Sequence, residues 1–243
     1  MLELHGAAGY RRRVYVDVGN ARLWVEEEGS GPAVLFLHGG LGDSRLWEPV
    51  AARLRDSFRC IRYDFRFFGR SEGPNEEWSP SDDSVAVLDA LGIERAAVVG
   101  LSMGGRVALE VASTHPERVS SLVHVAGAVA PFELEGYDPG DTRESEMLAD
   151  FAVWAPLGVE DGYRDLWLAT PADTPQDRRA DVQLDELAVP TLVVIAKRDP
   201  AVFRELAERI DATRRVEIDS DHYLTLREPD TVAQVIRDFL TPA

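Results

Sequence analysis

The stretch VVGLSMGGRVALE, residues 98–110, sets Ser102 among glycines, with an apolar run before it and a helical pattern after it. The spacing Gly100-Leu101-Ser102-Met103-Gly104 is the G-x-S-x-G arrangement of a sharp strand-to-helix turn that exposes a serine hydroxyl. Such a turn strains the serine backbone and brings strand and helix so close that flanking Cβ atoms would clash, so glycine is needed on both sides. The helix N-terminus behind the hydroxyl favours developing negative charge. The chemistry this predicts is nucleophilic attack by Ser102; the alternative is a glycine-rich turn with no chemistry.

A serine nucleophile needs a base, and the base an orienting acid. The chain has five histidines. His5 falls in the N-terminal stretch, His115 closes a helix before Pro116, and His124 lies inside an apolar strand as a core residue. His38 ends a strand before a glycine pair and is expected to brace that loop. His222, in IDSDHYLTLREPD, follows the last strand and is the base by position. Asp199, in TLVVIAKRDP, leaves another strand end and is the expected acid, in the order Ser102, Asp199, His222. Asp221 is read as a loop residue, with a secondary role in biasing the charge of His222. For the oxyanion, FLHGGLGD supplies low bulk after a strand; the backbone N–H groups of Gly40 and Met103 are the expected donors, with Leu41 as the alternative to Gly40.

These residues must be carried to one place. Six apolar segments read as buried strands: 33–38, 60–64, 96–100, 121–127, 191–196 and 215–219. RVYVDV and ARLWVEEE, joined by Gly19-Asn20, read as an antiparallel hairpin. Helical faces alternate with the strands: Leu46, Trp47, Val50 and Leu54; Val85, Leu88 and Leu91, capped by Gly92; Val107, Ala108, Val111 and Ala112; Phe203, Leu206 and Ile210; Val232, Val235, Ile236 and Phe239. The expected class is α/β: a mostly parallel, doubly wound sheet of about eight strands. The core is expected over 1–128 and 186–243. The segment 129–185, with two amphipathic pieces and no clean strand, is expected to form a short helical lid.

Length, at 243 residues, and 45% hydrophobic content fit one such domain. A net charge of −17 would repel nucleic acid and anionic membrane, so neither is an expected partner. The apolar runs fall short of the ~20 residues a spanning helix needs, and the first residues lack a secretory pattern. Cys60, the single cysteine, excludes an intrachain disulfide and is expected in the core; a cytoplasmic setting is expected. No histidine pair or cysteine cluster has metal-ligand spacing, so neither metal nor cofactor is expected.

With these residues placed, the chain resembles the α/β-hydrolase superfamily over about 13–128 and 186–241. LFLHGG, GLSMGG, HPERVSSLVHVA, VPTLVVIAKRD and DHYLTLREPD match family motifs in family order. GLSMGG and Trp47 downstream of HGG are similar to the 3-oxoadipate enol-lactonase and small carboxylesterase branch. The resemblance implies the same fold, and its serine argues against the aspartate chemistry of dehalogenases and epoxide hydrolases. Three departures stand out. In YDFRFFGRS, Phe67 replaces a usual glycine, and its bulk is expected either to reshape the pocket edge or to fill space beside it. Ala196 and Asp221 replace two others.

The activity expected is hydrolysis of a carboxylic ester or lactone of a small, mostly apolar molecule. A thioester, an amide or a C–C bond remains open within the same machinery. The other classes weighed are a slow-turnover ligand receptor of the same fold and an interaction protein with a relict site. Leu41, Phe67 and the lid aromatics Phe132, Phe151, Trp154 and Trp167 are the expected pocket lining, under an acidic cover that disfavours anionic substrates.

Overall fold

The computed structural model describes residues 10–40, 42–74, 76–127, 182, 184, 187–199 and 201–241. All described elements belong to the unit formed by residues 1–130 and 175–243. The expected lid lies outside the described residues, apart from Val182 and Leu184.

Eight strands form one sheet: β1 (Arg11–Val18), β2 (Ala21–Glu28), β3 (Ala33–Leu37), β4 (Arg59–Tyr63), β5 (Ala96–Leu101), β6 (Val119–Val125), β7 (Thr191–Ala196) and β8 (Arg214–Ile218). Their order is β1-β2-β4-β3-β5-β6-β7-β8. β1 and β2 pair antiparallel around the two-residue turn at Gly19-Asn20, where Gly19 takes φ +57. β2 joins β4 antiparallel, and every pairing from β4 to β8 is parallel. The carboxyl ends of β3 to β8 therefore share one edge, where ligands of open α/β sheets bind.

The helices are α1 (Glu48–Leu54), preceded by a 3₁₀ turn over Ser44–Trp47, α2 (Pro80–Ala90), α3 (Met103–Thr114), α4 (Ala201–Glu208), α5 (Leu224–Arg227) and α6 (Pro229–Leu240). β5 and β7 are buried along their whole length, and Val107, Ala108, Val111 and Ala112 of α3 pack against the sheet. Gly92 ends α2 at φ +65, as its sequence position predicts. The buried face of α2 departs from expectation: Val87 and Leu88 carry it, while Val85 and Leu91 are half-buried. Polar side chains share that face because they are paired. Ser84 Oγ bonds Tyr63 Oη at 2.7 Å, and Asp83 accepts from Arg66 Nε and Nη2 at 2.6 and 2.8 Å.

The strand segments are also less purely apolar than they read. Arg62 is fully buried on β4 and donates to Glu28 at 2.9 Å and Glu26 at 3.3 Å, both on β2. Burial pushes the Glu26 carboxyl up, but Arg62 and hydrogen bonds from Arg11 and Trp24 overcome it and hold the group down at about 2. Cys60 is buried as expected, and burial pushes its thiol up to about 12, which leaves it inert.

Candidate active site

Ser102 is the hinge between β5 and α3, with φ 55 and ψ −118. Its N–H bonds Val125 O on β6 at 3.1 Å, and its carbonyl accepts from Gly105 N–H at 2.9 Å. The flanking glycines are required by contact. A methyl group at Gly100 would stand 2.0 Å from Gly104 O, and one at Gly104 would stand 2.2 Å from Leu37 O at the end of β3. With strand and helix this close, the Ser102 side chain is part-exposed at the sheet edge.

The loop after β3 lies against this turn. A methyl group at Gly39 would meet Ser102 Cβ at 3.4 Å, and one at Gly40 would meet Met103 Sδ at 3.6 Å. Gly40 and Met103 are thus neighbours, as the sequence predicts, and the amide of Met103 opens α3, where an N–H has no intrahelical acceptor. Leu41 lies outside the described residues.

His38 braces this loop from beneath. It is fully buried; Phe65 N–H donates to its Nε2 at 2.9 Å, which leaves Nδ1 to donate to Gly39 O at 2.8 Å. Burial pulls its pKa down to about 4, so the ring is neutral. Asp64 adds a second tie, accepting Ser44 N–H at 2.9 Å and Arg70 N–H at 2.8 Å. Burial and then neighbouring Asp43 raise its carboxyl.

Asp199 follows β7 and His222 follows β8. Backbone bonds lock the two loops together: Lys197 N–H to Ile218 O at 2.9 Å and Arg198 N–H to Ser220 O at 3.0 Å. Across them, His222 Nδ1 stands 2.8 Å from Asp199 Oδ1. The Asp199 side chain is 1% exposed and that of His222 is 23% exposed, so the pair has a buried carboxylate end and an imidazole open to solvent. A carboxylate only accepts, so Nδ1 carries the hydrogen, which in the neutral imidazole leaves the lone pair on Nε2.

Asp221 does something else. Its Oδ1 accepts Tyr223 N–H at 3.1 Å and its Oδ2 pairs with Arg227 Nε at 2.6 Å, which stiffens the turn that carries His222. His124 is buried in β6, its ring against Gly105 and Gly127, and His115 ends α3 with its ring 3.5 Å from Asp82.

Phe67 stands after β4, its ring edge-to-face on Trp78 at 5.9 Å. Phe132, Phe151, Trp154 and Trp167 lie outside the described residues. Sequence reasoning missed Phe203 of α4, whose ring packs 4.8 Å from that of His222, and Ala126 after β6, which takes φ 42. Helical spacing marks Phe203 only as a core residue, and nothing in the sequence marks Ala126.

Among the described residues no helix is long and apolar enough to cross a membrane. Residues 32–166 match the family described as alpha/beta hydrolase fold. The chain is 28% identical to 2-(acetamidomethylene)succinate hydrolase of Mesorhizobium japonicum, over 93% of this chain and 94% of that one. It is 30% identical to pimeloyl-(acyl-carrier protein) methyl ester esterase of Pectobacterium carotovorum, over 79% and 86%. The enol-lactonase structure from Burkholderia xenovorans LB400 superposes with a TM-score of 0.77 at 26% identity, over 94% of this chain and all of that one. Fold, sheet order and these likenesses agree: the chain belongs to the α/β-hydrolase family and is a hydrolytic enzyme.

Proposed function

We propose that the protein is a serine hydrolase cleaving a carboxylic ester or lactone of a small, mostly apolar molecule through an acyl-enzyme. One observation carries this reading: the 2.8 Å Asp199–His222 contact lies at the sheet edge where Ser102 is held in a left-handed backbone. An esterase and an enol-lactonase among the similar proteins support the bond type.

In this mechanism Ser102 Oγ attacks the carbonyl carbon as its proton passes to His222 Nε2, and the C=O electron pair moves onto oxygen. The oxyanion accepts from the N–H groups of Gly40 and Met103 and is favoured by the N-terminus of α3. The tetrahedral intermediate collapses, the C–O bond to the leaving group breaks, and Nε2–H protonates the departing alkoxide. Water then gives its proton to Nε2 as it attacks the acyl carbon, the second tetrahedral intermediate collapses with cleavage of the bond to Ser102 Oγ, and Nε2–H returns the proton to Oγ as the acid leaves. Asp199 holds the imidazole in one tautomer and stabilises the imidazolium.

A fluorophosphonate probe is expected to label Ser102, located by peptide mass spectrometry. Ser102→Ala is expected to lower kcat for p-nitrophenyl acetate by at least ~10³. An adduct on another residue, with activity intact in the alanine variant, overturns the reading.

A further inference from the structure

Among the described residues three non-glycine positions have left-handed backbone: Phe67 (φ 69), Ser102 (φ 55) and Ala126 (φ 42). They follow β4, β5 and β6, so all three lie on the carboxyl edge of the sheet. Such strain in a non-glycine residue persists only where its surroundings over-determine it, and it gathers at functional positions. Ser102 is explained by its chemistry, and Ala126 carries the smallest strained side chain and is held by an N–H bond to Val194 O at 2.9 Å. Phe67 is the largest of the three, and its surroundings fix it firmly. Arg66 before it is clamped on Asp83 and also donates to Asn20 at 2.7 Å, while Phe68 N–H after it bonds Phe65 O at 3.0 Å.

Of the neighbouring aromatics Phe65 is fully buried and Phe68 half-buried, and both pack on the His38 ring, at 4.4 and 5.2 Å. Phe67 stands outside that stack. Buried Trp78 backs one side of it, and the residue is half-buried, so part of its surface is open. Only β3 separates β4 from β5, so the loop carrying Phe67 and the turn at Ser102 leave the same sheet edge from strands whose axes are about 10 Å apart. An aryl ring held one or two bonds from a carbonyl at Ser102 spans part of that separation.

We propose that Phe67 is a specificity-determining residue that receives an aryl ring of a neutral ester substrate, with Trp78 as its support. The inference rests on Ser102 being the acylated residue. Aromatic pairs gain from edge-to-face or offset contact beyond the area they bury, so an open Phe ring braced by Trp favours an aryl group over an alkyl one.

Methyl phenylacetate and benzyl acetate are isomers with the ring on the acyl and alcohol side, and ethyl acetate has no ring. Replacing Phe67→Gly, a residue at ease with this backbone, is expected to lower kcat/KM for one or both aryl esters about tenfold relative to ethyl acetate, through KM. Calorimetric binding of phenylacetamide, a neutral aryl analogue, is expected to weaken by a similar factor. An unchanged ratio among the three esters, or phenylacetamide binding that is absent or equal in the two proteins, overturns the inference. If no ester is hydrolysed but phenylacetamide binding falls in the variant, the Phe67 site stands and the serine-hydrolase reading fails.

Discussion

Asp199 and Asp221 both stand close to His222 in the chain or in space, and what each carboxylate holds tells them apart. Asp199 is buried and meets Nδ1 of the ring; Asp221 is taken up by Tyr223 N–H and Arg227. Asp199→Asn offers Nδ1 an amide in place of a carboxylate and can invert the tautomer, so kcat is expected to fall about 10³–10⁴-fold with the circular dichroism spectrum unchanged. Asp221→Asn loses a part-exposed ion pair and is expected to cost less than about tenfold. Steady-state kinetics on the two variants checks both, and a reversed ranking moves the acid to Asp221. Asp199 and His222 are legible as candidates in the sequence because each follows the end of an apolar run that reads as a strand. Phe67 was legible as an oddity but its φ was not, since the bonds that fix it come from Asp83 and Asn20, remote in the chain.

At the scale of elements, the turn between β5 and α3 is set by what its glycines touch. A methyl group at Gly104 would lie 2.2 Å from Leu37 O, a backbone atom of the central strand β3 that cannot step aside. Gly104→Ala is expected to destabilise the fold by at least ~3 kcal/mol. Gly40→Ala places its methyl 3.6 Å from the flexible Met103 side chain, an ordinary contact, and is expected to cost under ~1 kcal/mol. Denaturant melts of the two variants check the contrast, which also separates the packing role of one glycine from the open space beside the other. Strand positions were readable here because strands buried on both faces are written as continuous apolar runs. The four-residue α5 was not, being shorter than any periodicity that could announce it.

For the whole molecule, acid sensitivity follows from groups whose ionisation the fold has displaced. Glu26 falls from its ordinary 4.5 to about 2 in the folded chain, so its contribution is complete above pH 4.5 and is lost as pH drops toward 2. Displacement of this size corresponds to at most roughly 3 kcal/mol. His38, depressed to about 4, loses its contribution between pH 6.5 and 4, whereas Asp64, raised, gains as pH falls. These two oppose each other in the upper window, so the melting temperature is expected to decline gently there and steeply below pH 4.5. Calorimetry from pH 7 to 3 should find Glu26→Gln less stable at pH 7 and flatter below pH 4.5; an unaltered low-pH slope refutes the assignment. The Arg62–Glu26–Glu28 network behind this was not readable in ARLWVEEE, because burial of consecutive glutamates depends on a guanidinium supplied by β4. The sheet order has a different consequence. Leu122 of β6 pairs with Thr191 of β7, so that contact closes a loop containing all the chain between them. The entropy of such closure grows only logarithmically, about 0.6 kcal/mol per doubling of length, but pairings so distant in sequence form late. Under the proposed function, closing that loop is also what brings the strand before Asp199 beside β6, the neighbour of the strand before Ser102, so the reacting groups are assembled only once the chain between β6 and β7 is bridged.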